Sequence, residues 1–74
     1  MFGALIAGAM LNEAEQAQLE RAIYPQALAA AGETDSPRNR SIAASDYWHF
    51  LQVGGGTDDE AIAVLTRGLR ACGI

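Results

Sequence analysis

Two breaks limit what this chain can build. The polar run Gly32-Glu33-Thr34-Asp35-Ser36-Pro37 and the triple glycine Gly54-Gly55-Gly56 both stop regular structure, because ordering glycine costs backbone entropy and proline lacks an N–H. The 74 residues around these breaks leave room for short segments and a single small domain. Half of the residues are apolar, but many are alanine, which contributes little buried area each. Bulky side chains are few and scattered, so the sequence predicts an interior completed by a second copy of the chain, a homodimer, or by a standing partner.

Charge divides unevenly. The formal net charge is −4. Residues 1 to 36 carry Glu13, Glu15, Glu20, Glu33 and Asp35 against Arg21 alone, whereas in residues 37 to 74 four arginines balance Asp46, Asp58, Asp59 and Glu60. An acidic whole argues against indiscriminate polyanion binding, since phosphate affinity comes from Lys and Arg, but it leaves room for a local basic patch. Met1 to Leu11 is apolar, yet it lacks a basic start and is shorter than the roughly 20 residues of a membrane span. Cys72 is the single cysteine, so no intrachain disulfide forms. These features predict a cytoplasmic protein without a membrane segment.

Local signals then order the chain. Gly3, Ala4, Ala7 and Gly8 repeat at helical spacing, suited either to packing on the core or to docking as a helix on a second copy. Asn12-Glu13-Ala14-Glu15 has the form of a capping box. The helix it opens carries a stripe of Leu19, Ala22, Ile23, Gln26, Ala27 and Ala30. Pro25 predicts a kink or a fresh start, Gly32 a helix end, and Gly32 to Pro37 a linker. Arg38 to Ala44 is too short and mixed to assign from pattern. Ser45-Asp46 reads as the start of a helix with Tyr47, Phe50, Leu51 and Val53 on one face and Trp48 at its margin. After the glycines, Thr57, Asp58 or Asp59 caps a last helix in which Ile62, Leu65 and Leu69 recur beside Ala61 and Val64. Arg67 and Arg70 fall near its negative end, and Gly68 marks close helix packing.

Catalytic and metal chemistry find little support. His49 is the only histidine and has no thiolate pair or patterned serine beside it. Asp58-Asp59-Glu60 lacks the alternating ligands of a calcium loop and reads as a solvated helix start. No lysine follows the glycines, so a phosphate loop is rejected. Cys72 reads as a small packed or incidental thiol. The sequence thus predicts no enzyme, no metal and no cofactor.

The order of parts from Arg38 to Gly73 resembles the ribbon-helix-helix family of dimeric DNA-binding proteins. The matching parts are a basic-polar segment (Arg38-Asn39-Arg40-Ser41-Ile42), a Ser-Asp helix start with an aromatic face (Ser45, Asp46, Tyr47, Phe50, Val53), a glycine turn, and a second helix opening Asp59-Glu60-Ala61-Ile62. The resemblance implies a mainly α, ribbon-helix-helix-like dimer: an acidic N-terminal helical arm and linker over 1–36, and a ribbon-forming half over 37–74, within one domain. It implies a strand over Arg38 to Ala44 that enters the DNA major groove, with Arg38, Asn39, Arg40 and Ser41 as the DNA-binding residues. Strand alternation leaves open whether Asn39, Ser41 and Ala43 or Arg38, Arg40 and Ile42 face outward. The shared dimer core would comprise Ile42, Tyr47, Phe50, Val53, Ile62, Leu65 and Leu69, and backbone N–H groups over Thr57 to Asp59 would hold phosphate. The implied function is a transcriptional repressor. The alternative is a small all-α bundle acting as an acidic protein-protein interaction module, such as an inhibitor, antitoxin-like factor or assembly subunit, whose N-terminal arm meets a protein partner.

Overall fold

A computed structural model describes residues 11–72. The expectations for Met1 to Met10 and for the Cys72 thiol lie outside the described residues. We number the elements α1 (Glu13–Gln18), a π turn (Leu19–Ile23), α2 (Tyr24–Ala31), α3 (Pro37–Gln52) and α4 (Asp58–Cys72). The first three run on as one rod, so the fold is three helices, and no strand occurs among the described residues. No described helix is long and apolar enough to cross a membrane.

The first rod starts where the sequence predicts. The Asn12 side chain accepts from the Glu15 N–H at 2.8 Å, and the Glu15 carboxylate accepts from the Asn12 N–H at 3.0 Å. Pro25 then shapes its middle. Proline cannot donate to a carbonyl four residues back, and its ring crowds that carbonyl. The rod widens just before it, and the Tyr24 N–H donates to the Leu19 carbonyl, five residues away. That widening inserts one residue into the helical count. The stripe expected to continue through Gln26 and Ala30 is displaced, leaving both exposed, and Tyr24 and Ala27 are buried with Leu28 and Ala31 half-buried. Gly32 ends the rod at φ 70°, a left-handed conformation that favours glycine, and the Glu33 N–H reaches back to the Leu28 carbonyl at 3.0 Å.

The largest correction concerns residues 38 to 44. They are the first turns of a 16-residue helix, not a strand, and Ser45-Asp46 sits mid-helix instead of at its start. Ser36 caps this helix, accepting from the Asn39 N–H at 3.0 Å, and Pro37 occupies the first turn, where its missing N–H costs nothing. The glycines close α3, with the Gly55 N–H donating to the Phe50 carbonyl at 2.9 Å. Thr57 caps α4 reciprocally with Glu60, accepting from the Glu60 N–H at 3.1 Å while Glu60 accepts from the Thr57 N–H at 2.8 Å.

Side-chain contacts fix the directions. Gln18 meets Asp58 and Arg70 meets Ala30, twelve residues along on each rod (18 to 30, 58 to 70), so the first rod and α4 run parallel. Asp46 lies at Gly68 and Phe50 near Gly56 and Glu60, so α3 runs antiparallel to α4. The bundle is up-down-up, with α4 against both other helices. Its core joins Leu11, Leu19, Ile23, Tyr24 and Ala27 to Ala43, Ala44, Tyr47, Ala61, Leu65 and Leu69. Four alanines in this core let backbones approach, which offsets the scarcity of bulky groups. The Cα radius of gyration, 11.2 Å, matches the value of about 11 Å for a compact chain of this length.

Candidate interaction surface

The four residues expected to read DNA take separate roles at the start of α3. Arg38 and Ser41 are exposed. Asn39 is 6% exposed, and its Nδ2 donates to the Thr34 carbonyl at 2.8 Å, pinning the linker to the helix. Arg40 grips Asp35 with two bonds, Nε to Oδ1 at 2.8 Å and Nη2 to Oδ2 at 2.6 Å, while the Tyr24 hydroxyl donates to Oδ1 at 2.8 Å. The Arg40 guanidinium, then the Tyr24 hydroxyl, hold the Asp35 carboxyl down to about 2. Burial, and then the bond to Asp35, push the Tyr24 phenol up. Asp35 and Arg40 stay largely in solvent, so this cluster orders the linker more than it stabilises the fold.

The residues expected to form a dimer core divide in three. Tyr47, Leu65 and Leu69 are buried within the single chain, and Ile42, Phe50 and Ile62 are half-buried. Val53 is 84% exposed. The Tyr47 and Phe50 rings stack with centroids 6.3 Å apart. Burial, and then the charges of Asp58 and Glu15, push the Tyr47 phenol up.

That last influence points to an arrangement the sequence did not show. Because the first rod and α4 are parallel, their acidic starts lie side by side, linked by the Gln18 Nε2 to Asp58 Oδ2 bond at 2.7 Å. Glu13, Asp58, Asp59 and Glu60 are exposed there, and Glu15 is half-buried. A Cβ added to Gly56 would collide with the Glu60 carboxylate and touch the Phe50 ring, so apolar and acidic groups meet at this end. Four of the five arginines lie elsewhere, Arg38 and Arg40 opening the antiparallel α3 and Arg67 and Arg70 in the final turns of α4, while Arg21 follows Gln18 by three residues on the first rod. Each acidic start also complements the partial positive charge of its own helix. Two parallel dipoles side by side repel, and the carboxylates offset that repulsion.

Nothing in the described residues gathers three metal-ligating side chains. His49 places Nδ1 2.9 Å from the Ser45 carbonyl, which requires that nitrogen to donate, and its ring stands edge-on to Trp48 at 5.2 Å. Sequence reasoning read Asp46 only as part of a helix start and missed its contact with α4, although the irregular glycine at position 68 was its signal. A Cβ built on Gly68 would overlap the Asp46 carboxylate, so Gly68 is the close contact between α3 and α4 that its place in the helix predicted. Comparison of the chain with protein-family models, curated proteins and solved structures gives no match.

Proposed function

We propose that this chain is an acidic helical module for protein-protein interaction, engaging a partner through the end where α1 and α4 begin. The observation that carries the reading is the Gln18–Asp58 bond, which holds the acidic start of the first rod, with Glu13 exposed and Glu15 half-buried, near the exposed Asp58, Asp59 and Glu60 that open α4. Such a surface raises the local concentration of cationic partners and repels nucleic acid. The ribbon on which a DNA-binding reading rests is helix here. Of its four readers, Asn39 is committed to the Thr34 carbonyl and Arg40 to Asp35.

The test is a pair of NMR titrations at low salt, one with random duplex DNA and one with an oligo-arginine peptide. The peptide should shift amides at 13–18 and 58–60, and the triple substitution D58N/D59N/E60Q should abolish those shifts. Duplex DNA should produce none. DNA binding through Arg38 to Ser41 would overturn the reading and restore the repressor assignment.

A further inference from the structure

Asp46 stands in the middle of α3 with nothing in the described chain to bind it. Its carboxylate lies so close to the backbone of α4 that only glycine fits at position 68 without a shift of one or the other. The residue is half-buried, and among the described residues no hydrogen bond or ion pair reaches its carboxylate. Partly withdrawing a charged group from water without a partner is unfavourable, and burial pushes the Asp46 carboxyl up, with the charge of His49 acting in opposition. A side chain present only to fill this place would be small and neutral.

The surroundings suit a cation on an apolar stem. Ile42 and Phe50 lie one turn to either side of Asp46 on α3, and Val64 lies one turn before Gly68 on α4; all three are half-buried. Val53, which caps the C-terminal end of α3, is exposed. Arginine and lysine bury their methylenes along such surface and present charge at the tip, where a half-buried carboxylate accepts a strong, charge-assisted hydrogen bond.

We propose that the seam between α3 and α4 is a docking site for a basic side chain of a protein partner, with the Asp46 carboxylate as its anchor and Gly68 as the residue that makes room for it. The proposal rests on the interaction-module reading and adds a second, more selective contact to the acidic end. The acidic end attracts any cation. The seam selects one flanked by apolar groups.

The experiment uses the full chain and two amphipathic helical peptides, identical except for arginine or norleucine in the centre of the apolar face. The arginine peptide should shift the amides of Ile42, Asp46, Val64 and Gly68 and bind about tenfold more tightly, the expected worth of one charge-assisted hydrogen bond. D46N should bring the two affinities within about twofold of each other while raising the urea midpoint of the free protein, because it removes an unpaired charge. A lowered midpoint would mean that the carboxylate serves the fold, and a persistent arginine preference in D46N would place binding elsewhere; either overturns the proposal. If oligo-arginine still binds 13–18 and 58–60 while the seam shows no preference, Asp46 loses its assigned role and the module reading stands. Duplex DNA binding would fail the module itself.

Discussion

Asn39 separates a structural role from a DNA-reading one by a perturbation whose size follows from the geometry. Its amide donates to the Thr34 carbonyl at 2.8 Å and lies 3.5 Å from a Glu33 carboxylate oxygen, at a site 6% exposed. Asn39→Ala removes one neutral hydrogen bond, worth about 0.5–1.5 kcal/mol net, and leaves a carbonyl that water only partly reaches. The better helix propensity of alanine returns a few tenths, so the expected loss is about 1 kcal/mol. Asn39→Asp keeps the shape but sets a carboxylate against one carbonyl and one carboxylate, and the loss should rise to about 2 kcal/mol. With a urea slope of about 1 kcal/mol/M for so small a domain, the midpoints should fall by roughly 1 M and 2 M. The Asn39→Asp deficit should shrink below about pH 4, where the introduced group regains a proton it can donate to Thr34. Urea unfolding followed by far-UV circular dichroism at pH 7 and pH 3.5 measures all of this. Equal midpoints for the wild type and both variants would refute the claim that this side chain locks the linker to α3.

Two other perturbations act on different parts of the bundle. Asp35 is held at about 2 by Arg40 and Tyr24, below its ordinary 3.8, so its contribution is complete above pH 4 and fades as pH falls from about 4 to 2. Asp35→Asn should remove that segment of the stability profile, and a carboxyl carbon titration midpoint near 4 in the wild type would contradict the geometry. Leu65 is fully buried, so Leu65→Ala should cost about 2–5 kcal/mol, a large share of the roughly 4–11 kcal/mol available to a domain of this size, whereas Val53→Ala at its 84% exposed site should change stability by less than about 0.5 kcal/mol. Thermal melts of the two variants compare them directly.

Local chemistry settled where helices begin and end. The reciprocal caps at Asn12 and Thr57, the left-handed Gly32 and the closing glycines are short-range events that need no partner, and each stands where its residues predict. The helix over 38 to 44 was equally local: Ser36-Pro37 is a cap followed by a first-turn proline, but Pro37 also closes the polar run and reads there as linker. Tertiary structure decided the rest. The π turn before Pro25 answers the local proline, yet it advances by one residue the stripe that the bundle buries, which a fixed helical period cannot anticipate. The acidic end depends on the up-down-up course, since only parallel packing brings residues 13–18 beside 58–60, forty residues apart in the chain between Gln18 and Asp58. The meeting of Asp46 with Gly68 likewise belongs to the crossing of two helices, because contact across a helix pair depends on their relative placement and not on the spacing within either one.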